Sequence, residues 1–140
     1  MATRFLLDTN ICIYIRQKRP PEVLARFEKL GPGEAALSTI TYGELLYGAA
    51  KSQSRQLTMA RLAELTSFLP VLPVPEEAAL EYGEMRAMLE SKGETIGGND
   101  LWIAAHAKAA GLVLVTNNER EFKRVRGLKV QNWAAPTPTG

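Results

Sequence analysis

Phe5-Leu6-Leu7 and Leu112-Val113-Leu114-Val115 are apolar at every position, and this narrows the fold more than any other feature of the chain. A strand with one face in water alternates apolar and polar residues. A short run without alternation needs cover on both faces, which helices flanking a parallel sheet supply. Residues 35–38, 71–74 and 129–131 add three strand candidates, and helical periodicity fills the intervals over 9–17, 22–30, 42–50, 57–69, 76–92 and 100–110. Strands alternating with helices in this way predict an α/β three-layer sandwich, a mostly parallel sheet of about five short strands covered by helices. Pro70 and Pro73 place the 71–74 strand at a sheet edge, because proline cannot donate to a ladder. Gly93 and Gly111 stand where helices stop. A chain of 140 residues suits one domain, expected over 1–135, with 136–140 as a flexible tail.

The totals exclude several classes. Lys and Arg number 17 against 15 Asp and Glu, a formal charge of +2 that does not by itself mark a nucleic-acid binder. The basic residues gather early, with Arg4, Arg16, Lys18, Arg19, Arg26 and Lys29 set against Asp8, Glu22 and Glu28. The one cysteine, Cys12, rules out an internal disulfide and reads as a buried thiol in a reducing compartment. His106 is the only histidine, so zinc spacings and paired-histidine acid-base chemistry lack material. On a helix starting at Asp100, His106 points about 240° away from it and reads as structural. No apolar stretch approaches a membrane span and no secretory signal opens the chain, so a cytoplasmic protein is expected.

In sheets of this kind ligands collect where strands end and helices begin. Asp8 follows the first strand, Glu44 enters the helix after the second, Asp100 starts a later helix, and Thr116-Asn117-Asn118-Glu119 leaves the fourth strand. Each acid has a structural reading as well. Asp8 suits a helix cap, Asn99 or Asp100 suits another, and Thr41-Tyr42-Gly43-Glu44 matches a capping box. Caps, however, have no reason to converge on one rim. Carboxylates held close together repel unless a cation lies between them, and an all-oxygen set suits Mg²⁺ or Mn²⁺ better than zinc. At an open rim, Asp8 also escapes burial.

Four segments carry a family likeness: Leu6-Leu7-Asp8-Thr9-Asn10; Ser38-Thr39-Ile40-Thr41-Tyr42-Gly43-Glu44-Leu45; Asn99-Asp100-Leu101-Trp102-Ile103-Ala104-Ala105-His106-Ala107; and Gly111 to Asn118 with Glu121-Phe122. In this order and spacing they resemble the PIN domain, in particular the VapC-type toxins of bacterial toxin-antitoxin pairs. The resemblance implies a metal-dependent endoribonuclease in which Asp8, Glu44 and Asp100 are catalytic acids and metal ligands. Thr9, Asn10, Thr116, Asn117, Asn118 and Glu121 would support them. It also implies Mg²⁺ or Mn²⁺ as cofactor, RNA as substrate, for several members the tRNA anticodon stem-loop, a VapB-type antitoxin partner, and a homodimer. The chain departs from the family at Asn118, where many members carry a fourth acid. Glu119 or Glu121 is the candidate replacement.

Hydrolysis by activated water would leave a 5′-phosphate and a 3′-hydroxyl. Arg16, Lys18 and Arg19 are candidates for holding the RNA backbone, and Tyr14 or Trp102 for stacking on a base. Leu45, Leu46, Tyr47, Leu57, Met59, Leu62 and Leu65 offer either a partner surface or core. Three rivals belong to other classes. A receiver-like phosphorylation module lacks its acidic pair and has Ser38-Thr39 at the phosphoacceptor position. A haloacid-dehalogenase-like phosphatase would need an acid at Asn10. A catalytically weakened RNA-binding domain is conceivable through Asn118.

Overall fold

Phe5–Leu7 (β1) forms the centre of a five-stranded sheet in the computed structural model, which describes residues 2–134. Its neighbours are Ala35–Ser38 (β2) and Val113–Val115 (β4), with Val71–Leu72 (β3) and Val130–Gln131 (β5) at the two edges. Every pairing is parallel, with Phe5 opposite Ala35 and Val113, and Leu114 opposite Val130. The strand flanked by prolines lies at an edge, as expected.

Seven helices complete the described residues: Thr9–Gln17 (α1), Pro21–Glu28 (α2), Thr39–Ala50 (α3), Arg55–Phe68 (α4), Ala78–Ser91 (α5), Gly98–Ala110 (α6) and Glu119–Phe122 (α7). The spans of β1, α1 and β2 match the sequence expectation. Helix α3 starts before Tyr42 because Ser38, and not Thr41, caps it, its Oγ accepting from Ile40 N–H at 3.1 Å. Helix α6 starts two residues before Asp100 because Gly97 holds the cap position. Gly93 and Gly111 follow α5 and α6 with φ of +68° and +69°, a left-handed conformation that glycine adopts without strain. The expected tail 136–140 and the domain limit at 135 lie outside the described residues.

The alternation of β1 builds the three layers. Phe5 and Leu7 face a layer with Ile11, Cys12 and Ile15 of α1, Val23 of α2, and Leu62 and Leu65 of α4. Leu6 and Leu114 face the opposite layer, with Met85 and Leu89 of α5 and Leu101, Ile103 and Ala104 of α6. Leu6, Leu7, Leu37 and Leu114 are wholly buried, each side chain contributing roughly 1.5–3 kcal/mol relative to exposure. Trp133, beyond β5, closes the first layer edge-on to Phe5 at 5.4 Å.

Candidate active site

The strand order changes direction between β1 and β4, and the chain leaves their paired carboxyl ends towards opposite faces of the sheet, the place where such folds open a crevice. Asp8 stands at its mouth. Its backbone N–H donates to Val115 O at 3.0 Å, and its Oδ1 accepts from Ile11 N–H at 3.0 Å, which caps α1. The capping role is thus real, but it leaves the second carboxylate oxygen uncommitted to that bond. Asp8 is only 6% exposed, against the expectation that the rim would spare it burial. Fully buried Thr116 bonds its carboxylate, and the N–H of Ile11 in the first turn of α1 takes the other side.

Burial pushes the Asp8 carboxyl up to about 6, and the charge of Asp100 adds to the rise, while Thr116 and the N–H groups of Ile11 and Asn10 act against it. Glu44 is raised by burial, then by Asp100 and Asp8. Asp100, in the first turn of α6, is raised by burial and then by Glu121. The carboxylates of Asp8, Glu44 and Asp100 therefore lie within electrostatic reach of one another and Glu121 of α7 within reach of Asp100, and the amino ends of α1, α3, α6 and α7, positive through their dipoles, face the same rim. Glu44 is not part of a capping box, since α3 is capped at Ser38. Its Oε1 and the nearby Thr9 Oγ1 are buried without a hydrogen bond of ordinary geometry, as is Thr41 Oγ1.

The fourth strand's exit explains the departure at Asn118. Its N–H donates to Thr116 Oγ1 at 2.9 Å, and its side-chain amide donates to Glu121 Oε2. Glu121 is the acid whose charge reaches Asp100. Glu119 turns away, 3.9 Å from Lys123 Nζ and accepting from Asn132 Nδ2. Asn117 Nδ2 donates to the Tyr14 hydroxyl at 2.6 Å, tying α1 to the β4 exit.

Asp100 is positioned by packing, because no strand precedes α6. Trp102 stacks on Tyr82 of α5 at 3.9 Å and 12°, and Lys108 pairs with Glu81 at 3.2 Å. That stack occupies a face of the ring considered for base contact. Buried His106 lies with Nδ1 3.0 Å from Ser38 Oγ, so the α3 cap is joined to the helix bearing Asp100. Its pKa is lowered by burial, as suits a neutral structural imidazole. Burial, and then the charge of Asp8, raise the Cys12 thiol.

Other expected site residues lie elsewhere. Arg16, Lys18 and Arg19 border a cleft of about 510 Å³ with Arg61 and Glu64; Arg16 is eight residues along α1 from Asp8, about 12 Å at 1.5 Å per residue. Leu45, Leu62 and Leu65 of the supposed partner face are core, whereas Tyr47 and Leu57 are exposed. A cleft of about 330 Å³ beside Glu44 is lined by Thr39, Ile40, Gly43, Tyr47 and Asn99. Of the two readings open for Tyr47, partner surface or core, core is excluded by its exposure beside this cleft, three residues after Glu44 on α3.

Among the described residues no three Asp, Glu, His or Cys side chains are close enough to enclose an ion as they stand. The donor set still fits a hard divalent cation. It is all oxygen, its acids are held above the usual carboxylate range, and Glu44 Oε1 and Thr9 Oγ1 are buried without a well-formed hydrogen bond. Asp8, Glu44 and Asp100 are the residues that would hold the ion.

Fold and site together define an α/β domain with an acidic crevice at the switch point of a parallel sheet. The sequence matches the PIN domain family over residues 5–128. It is 43% identical over 130 residues to Ribonuclease VapC2 of Haemophilus influenzae, covering 93% of this chain and 98% of that one. It is 42% identical over 131 residues to the tRNA(fMet)-specific endonuclease VapC of Shigella flexneri, covering 94% and 98%. The crystal structure of DNA-bound VapBC from Salmonella typhimurium superimposes with a TM-score of 0.87 at 40% identity, covering 94% of this chain and 98% of that one. The chain belongs to the PIN domain family, in the branch of the VapC ribonucleases.

Proposed function

We propose that this chain is a divalent-metal-dependent endoribonuclease, the toxin of a toxin-antitoxin pair, that hydrolyses RNA phosphodiesters at the Asp8 crevice. The observation that carries this reading is that Asp8, Glu44 and Asp100 lie within reach of one another's charge with their carboxyls raised, and that Glu44 Oε1 is buried without a well-formed hydrogen bond, an arrangement that a cation would relieve. When bound, Mg²⁺ or Mn²⁺ supplies Lewis-acid stabilisation of phosphate charge and makes water nucleophilic near neutral pH. Asp8 and Asp100 would hold the ion directly, and Glu44 directly or through a water. Glu44, whose Oε1 has no well-formed hydrogen bond, would orient the attacking water and take its proton. Asn118 holds Glu121 towards Asp100, so Glu121 acts as the fourth acid.

Transfer RNA is the proposed substrate class, supported by the name of the Shigella relative. A VapB-type antitoxin is the proposed partner, supported by the VapBC complexes among the related structures. Ser38 is engaged as a helix cap and bonded to His106, which speaks against the receiver-like reading. The test incubates antitoxin-free protein with total RNA, with and without Mg²⁺ or Mn²⁺, and compares Asp8→Asn. Metal-dependent cleavage leaving 5′-phosphate and 3′-hydroxyl ends is expected. Cleavage indifferent to both chelation and the substitution, or a 2′,3′-cyclic phosphate product, overturns the reading.

A further inference from the structure

We propose that Tyr47 is a stacking platform for an unpaired nucleobase next to the scissile phosphate, an inference that rests on the ribonuclease reading above. Tyr47 is 66% exposed, more than the other exposed aromatic ring, Phe68, at 48%. Exposure alone assigns no role, but Tyr47 follows Glu44 by three residues on α3. That spacing places the two side chains as neighbours on one helix face, with Cβ atoms about 5–6 Å apart. Both line the cleft of about 330 Å³ that opens beside the acids.

Three further features fit a base. Asn99, adjacent to Asp100, lines the opposite side of the cleft and carries an amide that can both donate to and accept from a base edge. Gly43 leaves the floor open, since a Cβ there would meet nothing within 4 Å. Lys51 lies one turn beyond Tyr47 with Nζ 4.7 Å from the ring centroid. A base laid on the ring competes with that ammonium, which is then free to pair with the adjoining phosphate. The ligand chemistry is therefore a splayed-out base with a phosphate on either side, as single-stranded loops of RNA provide. An aromatic face discriminates little between bases, so Tyr47 sets where an unpaired nucleotide sits, and Asn99 contributes what base preference there is.

The test uses the full antitoxin-free chain with total tRNA and Mg²⁺ or Mn²⁺, and follows the cleaved species with steady-state kinetics. Tyr47→Ala is expected to lower kcat/KM by about 5- to 150-fold, the range for losing one base stack, mostly through KM. Tyr47→Phe, which keeps the ring face, should recover most of that loss. Gly43→Leu, which fills the cleft while improving helix propensity, should lower kcat/KM comparably without lowering Tm. Stabilisation of the Tyr47→Ala protein by Mn²⁺ should match the wild type, so the acids are undisturbed. Wild-type kinetics in Tyr47→Ala overturn the proposal, as does equal loss in Tyr47→Ala and Tyr47→Phe. A shift in oligomeric state in Tyr47→Ala assigns the ring to a subunit interface and also overturns it. If the wild type cleaves no RNA while Asp8→Asn is equally inert, the ribonuclease reading itself has failed, an outcome distinct from active enzyme indifferent to Tyr47.

Discussion

Asp8→Asn should make the metal-free protein more stable while removing its activity. Holding the Asp8 carboxyl at about 6, where its ordinary value is 3.8, costs its ionised form roughly 3 kcal/mol at neutral pH, at 1.36 kcal/mol per pKa unit. The amide is close in shape and is itself a good cap, so the bond from Ile11 N–H to Oδ1 survives. The pH dependence follows from the direction of the shift. The folded pKa lies above the unfolded one, so the folded state keeps the proton longer, and wild-type stability is lost as pH rises from about 4 through 6. The two proteins should therefore differ little near pH 4 and diverge up to pH 6. Above pH 6 the gap should hold steady at 2–3 kcal/mol, roughly 10 °C in Tm for a chain of this size. Urea unfolding in the presence of a chelator at several pH values measures this gap. Adding Mg²⁺ should narrow it by stabilising the wild type alone. A gap independent of pH, or an Asp8→Asn protein less stable than wild type at pH 7.5, would refute the account of Asp8 as a carboxylate held at a cost.

The remaining expectations concern groups around that site. The raised Cys12 thiol, with no exposed surface, should resist thiol reagents at pH 8 in native protein and react once urea unfolds it. Ser38→Ala removes the α3 cap and leaves His106 Nδ1 without its partner, which should cost about 2–4 kcal/mol in urea unfolding. His106 is lowered by burial, so it contributes stability that is lost as pH falls below its ordinary 6.5; His106→Gln should flatten that limb of the stability profile. Trp133→Ala empties a buried position packed on Phe5 and should cost about 3–5 kcal/mol by thermal or urea unfolding.

Much of the fold was legible because β1 and β4 are too short and too uniformly apolar to be anything but covered strands. Asp8, Glu44 and the β4 exit could be assigned to one rim from the element order, since every strand of a parallel sheet ends at the same edge, whereas Asp100, on a helix that no strand precedes, is brought there by packing. What escaped was non-local. The cap of α3 passed from Thr41 to Ser38, and the reason lies in His106, which is distant in sequence and bonds the Ser38 hydroxyl from α6. Asn118 was read as a missing charge, but its amide holds Glu121, a contact across one turn of a helix too short to show periodicity. The basic residues of α1 looked like neighbours of Asp8 because they follow it closely, yet a helix leaving the rim carries its last turn to the far edge of the sheet. Trp133 near the chain end gave no local sign of the layer it closes.

The site combines two demands that conflict in a small domain. Cation binding needs carboxylates close together and partly dry, whereas folding without the cation favours keeping them apart and wet. The fold holds them by giving each acid a second tie that is structural. Asp8 caps α1, Glu44 rides on a helix whose own cap is locked by His106, Asp100 is carried by a helix pinned to α5 through Tyr82 and Trp102, and Glu121 hangs from Asn118. The amino ends of α1, α3, α6 and α7 offset part of the repulsion. Because each tie belongs to a different element, loss of one should loosen a single acid and leave the others in place. That is why the conservative exchange at Asp8, which preserves its tie and removes only the charge, separates the electrostatic cost of the site from its architecture.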